Sequence, residues 1–248
     1  MKNYILILFA IIAFSSCDEF VNSAVESEVT YLAKIEVAGE RTLNLDCNPS
    51  GGFDDPGATA IESGAEIPIE TSIHGTYFLA SEIDGPDLFS VNYSAVNIDG
   101  IPGVASRRIY WPACNGDLVS SIAGMYSVSV LRNGTNTPAY EDNGPFFIRD
   151  IGDGKYQLSD AIGGWYDFGR ALGPDFAAPG MVITANNIAT NDFTFGPKVE
   201  VGYFGGDVEM LEFKVDATKK QITWECYWDF DYTFEVTLTQ VDPSEFNL

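Results

Sequence analysis

The sequence predicts an all-β protein. From about residue 30 to the end of the chain, apolar and polar residues alternate with a period of two in short runs. This is the pattern of strands that have one buried and one solvated face. Turn-forming pairs such as Asp84-Gly85 and Asp99-Gly100 separate the runs. No stretch shows helical spacing, so we expect two β domains, at residues 30–111 and 112–248, behind an N-terminal export segment and tether.

Residues 1–16 have the features of a cleaved export signal. Lys2 precedes an uncharged apolar run, Tyr4–Phe14, that is shorter than the roughly 20 residues of a membrane-spanning helix. The Ser-Ser pair before Cys17 resembles a lipobox, in which the signal is removed before a cysteine that carries a diacylglycerol. Two or three acyl chains make a stable anchor. We predict lipidation at Cys17; the alternative is an ordinary signal peptide followed by a chance thiol.

Acidic side chains dominate the composition. The chain has 36 Asp and Glu against 13 Lys and Arg, a formal net charge of −23. Such a charge repels phosphate backbones, which excludes nucleic acid as a partner. Residues 17–29 are polar and acidic and are predicted to be a flexible tether. Asp18-Glu19, directly after Cys17, resembles the signal that displays Bacteroidota lipoproteins on the exterior of the outer membrane, and implies that location.

The block at 30–111 predicts a β-sandwich. Several short strands separated by turns, with no helix, are typical of this architecture. The alternating apolar positions are Tyr31, Ala33, Ile35, Val37, Leu43, Leu45, Cys47, Ile67, Ile69, Phe89, Val91 and Tyr93.

The block at 112–248 predicts an antiparallel β-sandwich or a barrel-like sheet. Its consecutive strands are joined by tight turns such as Asp216–Lys219, which is typical of a meander. The strands alternate at Tyr126, Val128, Val130, Leu211, Phe213, Val215, Ile222, Trp224, Cys226, Trp228, Tyr232, Phe234, Val236 and Leu238. Residues 133–180 contain many glycines, prolines and aromatics, and we expect them to be mainly loop.

Two segments of the first block resemble a bacterial immunoglobulin-like surface domain. They are Gly52–Ala60 (GFDDPGATA) and Leu88–Gly100 (LFSVNYSAVNIDG), followed by Arg108 in a closing strand. Such domains carry an aromatic-x-Asp-Pro-Gly-Ala-Thr-Ala turn and a Tyr-x-Val-x-Tyr-x-Ala strand. Phe89 stands where tyrosine is usual. The resemblance implies an immunoglobulin-like β-sandwich that acts as a spacer or a recognition platform.

The second block resembles the uncharacterised C-terminal β domain of Bacteroidota surface lipoproteins. The segments that carry this resemblance are Ala123–Val128, Tyr156–Asp160, Gly163–Arg170 and Tyr232–Thr237. Such proteins accompany SusC/SusD-type transporters, which implies a non-enzymatic accessory role in nutrient uptake, with a glycan or peptide as ligand. The alternative is a structural or adhesive surface subunit without a soluble ligand.

The remaining cysteines give no metal motif. Cys47 and Cys114 could pair, but spacing alone does not show whether their Cα atoms are close enough. Cys226 falls on the apolar face of a strand and is expected to be a buried, inert thiol. No CxxC or Cys/His cluster is present, so we predict neither a zinc site nor a cofactor.

The segment Gly163–Arg170 (GGWYDFGR) holds the candidate ligand-binding residues. Trp165 and Tyr166 could stack on sugar rings or peptide side chains, and Asp167 and Arg170 could supply hydrogen bonds. In the alternative interpretation, which we favour, the rings plug the end of the β domain and Asp167 pairs with Arg170.

Other candidates for chemistry are weak. Trp224 and Trp228 share the face of Cys226 and are expected to be core, whereas Tyr227 points outward. The acidic turns at Asp54-Asp55 and 150–154 lack the spacing of a calcium loop. The single histidine, His74, has no nucleophile motif around it. We therefore expect no catalytic site and no metal.

Overall fold

A computed structural model describes residues 29–48 and 52–246. In this part of the chain nearly all regular structure is β, which confirms the predicted fold class. Leu32–Leu248 forms one compact unit. The division into domains at 30–111 and 112–248 stays a prediction, and the cleavage and lipidation site at Cys17 lies outside the described residues.

The N-terminal strands form two small sheets. The strands are β1 (Lys34–Val37), β2 (Thr42–Asn44), β3 (Ala58–Glu62), β4 (Ala65–Ile67), β5 (Glu70–Gly75), β6 (Asp87–Val96) and β7 (Pro102–Trp111). One sheet has the order β1-β3-β4 and the other β2-β7-β6-β5, with β2 parallel to β7. Their shared core contains the alternating residues Phe89, Val91 and Tyr93 of β6 and Ile109 of β7, because period-two spacing puts one face of each strand inside.

A buried ion pair connects the turn at residues 53–57 to β7. The guanidinium of Arg107 is fully buried, contacts the carboxylate of Asp55 and donates to the carbonyl oxygens of Ala38 and Glu40. Tyr93 donates its hydroxyl to the same carboxylate at 2.5 Å. The resemblance to an immunoglobulin-like domain included Arg108 in the closing strand. Arg108 is exposed, however, and its neighbour Arg107 makes the internal contacts.

A disulfide joins Cys47, which follows β2, to Cys114, which follows β7, with 4.9 Å between the Cα atoms. The sequence left this pairing open, and the fold supplies the proximity because β2 and β7 are neighbours. Cys226 is a free and fully buried thiol, as predicted.

The C-terminal strands form one nine-stranded antiparallel sheet that curls into a half-barrel. The strands are β8 (Gly124–Arg132), β9 (Asn143–Gly152), β10 (Lys155–Leu158), β11 (Val182–Asn187), β12 (Asp192–Phe195), β13 (Val199–Glu200), β14 (Asp207–Asp216), β15 (Gln221–Trp228) and β16 (Tyr232–Gln240). Their order is β12-β11-β10-β9-β8-β16-β15-β14-β13. The first and last strands of the block, β8 and β16, therefore pair in the middle of the sheet.

The expectation that residues 133–180 are mainly loop is only partly right. A hairpin, β9 and β10, crosses this stretch, and Asp153-Gly154 forms its turn. The rest includes 3₁₀ turns at Pro138–Tyr140 and Pro174–Phe176 and a π-helical turn at Trp165–Gly169. The sequence predicts the turn at Asp153-Gly154, but not the strand β9 before it. Its consecutive residues Phe146 and Phe147 are both buried, in two different apolar clusters, because β9 is covered on both faces.

The sandwich packs against the large sheet through Phe147 of β9. Its ring lies 4.7 Å from that of Tyr77, 6.4 Å from Phe78 and 6.5 Å from Tyr110, measured between centroids. Phe78, Tyr110 and Phe147 are buried together with Met125 of β8. The sandwich and the nine-stranded sheet thus share an apolar junction formed by these residues.

Candidate functional site

The glycine-rich segment forms a tight loop that leads into the π-helical turn. Gly163 and Gly164 adopt positive φ angles of 67° and 72°, and a Cβ on Gly164 would overlap the ring of Phe168. The turn is closed by the bond from the amide of Arg170 to the carbonyl of Trp165, at 3.1 Å. Hydrogen bonds of this i→i+5 type are rare and often occur at functional sites.

The buried carboxyl group of Asp160 organises this loop. Its oxygens accept hydrogen bonds from the amides of Ile162, Gly164 and Ala178, at 2.9–3.0 Å. Burial nevertheless raises the pKa of Asp160 to about 7, because three amide donors compensate only part of the lost solvation. Asp160 thus has a structural role in fixing the position of the aromatic residues that follow.

Trp165 and Tyr166 do not form the exposed platform that the sequence suggested. Trp165 is only 3% exposed, and its indole stacks on Tyr140 with 3.6 Å between centroids. Tyr166 is also buried and contacts Phe204 and Trp228 at 4.8 and 5.8 Å. The physical reason is the curl of the sheet, whose open end these rings close. This is the plug arrangement that the sequence analysis gave as its alternative.

Asp167 and Arg170 do not pair with each other among the described residues. Arg170 instead donates from Nε to the hydroxyl of Tyr140 at 2.8 Å. Asp167 is largely buried, which raises its pKa to about 6, and its charge acts on Asp160 and on Tyr77. The four predicted site residues therefore do not form one exposed group: Arg170 is exposed, whereas Trp165 and Tyr166 are buried and Asp167 is largely buried.

Arg132, the last residue of β8, is a member of the site that sequence reasoning missed. Its guanidinium lies over the rings of Trp165 and Tyr232, at 4.7 and 4.5 Å from the centroids. It also donates to the hydroxyl of Tyr166 at 3.4 Å. Cation–π contacts of this kind hold a guanidinium in place. No local motif marks Arg132, because its partners are contributed by β16 and by the π-helical turn.

These side chains line an open cavity of about 330 Å³ at the end of the half-barrel. Its walls contain two cations, three aromatic rings and three polar side chains, namely Arg132, Arg170, Tyr140, Trp165, Tyr232, Asn133, Thr135 and Thr137. Among the described residues, the buried Nε1–H of Trp165 has no hydrogen-bond acceptor. We refer to this concavity below as the arginine cavity.

Further aromatic residues lie exposed beside the arginine cavity. Phe204, which packs on Tyr166, is 43% exposed, and Phe230, which packs on Trp228, is 52% exposed. Tyr203 is 82% exposed and stands next to Phe204. Flat rings with free faces suit the apolar faces of sugars or of side chains. The open end of the half-barrel therefore combines an arginine-lined cavity with an exposed aromatic surface.

A larger cavity of about 590 Å³ lies near the loop between β14 and β15 and lacks these features. Among the described residues its lining contains no aromatic side chain, and its lysines, Lys214 and Lys219, pair with Glu212 and Asp216. Volume alone does not make a ligand-binding site, since such sites need a few convergent polar groups that can still form hydrogen bonds or ion pairs with a ligand. The arginine cavity is therefore the stronger candidate.

The described residues hold no group of three or more His, Cys, Asp or Glu side chains that could bind a metal ion. Over the same part of the chain, no helix combines the length and apolar character that crossing a membrane requires.

An all-β chain with a half-barrel C-terminal sheet is the class that this geometry defines. A family model described as "-like, C-terminal domain" matches residues 115–240, about half of the chain, and the chain belongs to that family. The crystal structure of the lipoprotein BT2262 from Bacteroides thetaiotaomicron is similar, with 22% identity and a TM-score of 0.49 over 84% of this chain and all of that one. No curated protein matches the sequence.

Proposed function

We propose that this chain is a lipoprotein anchored through Cys17 on the outside of the outer membrane, where it captures a glycan or peptide for a SusC/SusD-type uptake system. The observation that carries the proposal is the arginine cavity, which presents two guanidinium groups and aromatic rings on one exposed end of the half-barrel. The export signal and acidic tether of the sequence support the location. The chain acts by binding, without catalysis.

In this proposal the N-terminal sandwich is an immunoglobulin-like spacer. Its ion pair between Arg107 and Asp55 and its disulfide between Cys47 and Cys114 are internal ties that suit a rigid spacer. The junction at Phe147 then fixes the half-barrel to the spacer. Such an arrangement fixes the position of the arginine cavity relative to the spacer.

Three measurements test this proposal. Radiolabelled palmitate should be incorporated into the chain in cells and lost in Cys17→Ser, and surface proteolysis of intact cells should degrade the protein. The full-length protein, purified from membranes in detergent, should bind at least one member of a panel of glycans and peptides. A labelled but intracellular protein, or one that binds nothing in the panel, contradicts the proposal.

The second candidate is a structural or adhesive subunit, and an exposed apolar hairpin favours it. At the β6–β7 turn, Val96, Ile98 and Val104 are 57%, 90% and 80% exposed. Exposed apolar clusters of this kind often mark protein contacts. This candidate predicts co-purification with transporter subunits that is lost in Ile98→Glu, together with no binding in the ligand panel.

A further inference from the structure

We infer that the arginine cavity takes an anionic sugar ring, that is, a glycan unit that carries a carboxylate or a sulfate. This inference rests on the proposed function and names the class of ligand for the same site. It follows from the charges in the cavity wall, from the geometry of the two guanidinium groups and from the strands that carry them.

The wall of the arginine cavity is positively charged. Acids outnumber bases 36 to 13 in the chain, yet none of the eight lining residues is acidic and two are arginines. No carboxylate among the described residues lies within 4.0 Å of either Arg132 or Arg170. In so acidic a protein, two neighbouring guanidinium groups without a counter-ion leave a local positive site for an external anion.

The negative net charge of the whole chain does not prevent an anion from binding in the arginine cavity. Charges separated by more than about 8 Å are largely screened at physiological ionic strength. An anion seated in the cavity therefore interacts mainly with Arg132 and Arg170. Both arginines also act on the hydroxyl of Tyr166, whose pKa is raised by burial and lowered by the two guanidinium charges, so they converge on the same place.

The two guanidinium groups also have the geometry that binding an anion requires. Arg132 lies over Trp165 and Tyr232, and its hydrogen bond to Tyr166, at 3.4 Å, uses one donor. Arg170 uses Nε for Tyr140. The other N–H groups of the two guanidinium groups donate to no acceptor among the described residues, and a planar guanidinium matches two oxygens of a carboxylate or sulfate. The stacking on rings fixes the orientation of Arg132 before the ligand arrives.

The strands and side chains around the cavity favour a sugar over a peptide as the ligand. Arg132 and Tyr232 lie on β8 and β16, which pair with each other and with β9 and β15 in the middle of the sheet. Within the described strands the cavity therefore offers no open edge on which a peptide could add as a further strand. It offers hydroxyl and amide side chains, Asn133, Thr135 and Thr137, beside aromatic rings. These groups suit a hydroxyl-rich ring with apolar faces.

The test compares acidic and neutral glycans on the full-length protein purified in detergent. The probes are polygalacturonate, alginate and hyaluronate for carboxylate, dextran sulfate for sulfate, and methyl-esterified polygalacturonate and dextran as uncharged counterparts. Isothermal titration calorimetry should show at least one acidic polymer bound about tenfold or more tightly than both uncharged polymers, since charge-assisted hydrogen bonds contribute on this scale. The carboxylate and sulfate arms distinguish the two sources of charge.

Three arginine variants locate the site. Arg132→Met and Arg170→Gln should each weaken binding of the acidic polymer by about tenfold or more. Arg108→Gln, an exposed arginine on β7 away from the cavity, removes the same charge and should leave the affinity unchanged. Arg170 is exposed, so its variant keeps the fold, which near-ultraviolet circular dichroism should confirm.

The outcomes separate this inference from the proposed function. Equal binding of charged and uncharged polymers, or an equal loss in Arg108→Gln, overturns the anionic assignment. Binding of neutral glycans or peptides alone also overturns it and leaves the proposed function intact. If nothing in the whole panel binds, the proposed function fails and the inference fails with it.

Discussion

The ring of Tyr140 lies parallel to the indole of Trp165, with 3.6 Å between the centroids and 3° between the planes. Tyr140 ends a short 3₁₀ turn after β8, and Trp165 opens the π-helical turn. The stacked pair therefore clamps two segments that are 25 residues apart in sequence onto the floor of the arginine cavity. The geometry of this stacked pair depends on Gly169, which lies against the ring of Tyr140.

A Cβ on Gly169 would overlap the ring of Tyr140. Gly169→Ala must displace Tyr140 from Trp165, and overpacking of this kind costs about 1–3 kcal/mol. Chemical denaturation should show that loss in the free energy of unfolding. Gly85→Ala is the matched control, since a Cβ there meets nothing within 4 Å. Equal stability of the two variants would show that Tyr140 moves without cost.

Truncation of Trp165 should act mainly on stability, because the side chain is a plug. Trp165→Ala removes a 97% buried ring and should cost about 3–5 kcal/mol, the usual range for large aromatic residues in cores. Tyr203→Ala, in a side chain that is 82% exposed, should change the free energy of unfolding by no more than about 0.5 kcal/mol. Thermal and urea denaturation measure both. A stable Trp165→Ala protein would contradict the plug.

The sequence was sufficient to predict the strands in which apolar and polar residues alternate. The registers of β6, β15 and β16 follow that alternation, and it correctly placed Trp224, Cys226 and Trp228 inside. Strands with consecutive buried residues, such as β9, were missed because the same rule does not describe a strand covered on both faces.

Only part of the candidate site could be predicted from the sequence, because its residues come from segments that are far apart in the chain. The segment with Trp165 and Arg170 is contiguous and stood out by composition. Arg132 and Tyr140 reach the same cavity from other elements, and Tyr232 reaches it from β16, which pairs with β8 across about 100 residues of chain. Long-range pairing of this kind leaves no local pattern, so only the folded chain brings these side chains together.

The stability of the protein should fall as the pH rises from about 4 to 7, through the carboxyl group of Asp160. Burial raises its pKa to about 7 in the folded chain, above the value of about 4 in the unfolded chain. In this window the folded state holds a proton that the unfolded state has lost, so the free energy of unfolding decreases with pH, by at most about 1.4 kcal/mol per unit. Above pH 7 this contribution is constant.

Asp160→Asn isolates this effect because the amide does not titrate. The free energy of unfolding of each protein is measured by urea denaturation between pH 4.5 and 8. The difference between the wild type and the variant should change with pH across this range. Both proteins should carry Asp167→Asn, because Asp167 has a pKa of about 6 and its charge acts on Asp160. Two parallel curves would mean that Asp160 is ionised throughout and that its three amide donors outweigh its burial.

Reduction of the disulfide should destabilise the protein strongly. Cys47 and Cys114 are 67 residues apart, and closing a loop of this length restricts the unfolded chain by an amount worth about 4 kcal/mol. The double variant Cys47→Ser/Cys114→Ser should therefore unfold at a markedly lower temperature, and dithiothreitol should lower the midpoint of the wild type towards the same value. Cys226→Ala, which removes a buried thiol outside the bridge, should keep its full sensitivity to dithiothreitol. The double variant should be insensitive, and a further shift in that protein upon reduction would show that the reductant acts elsewhere than on the bridge between β2 and β7.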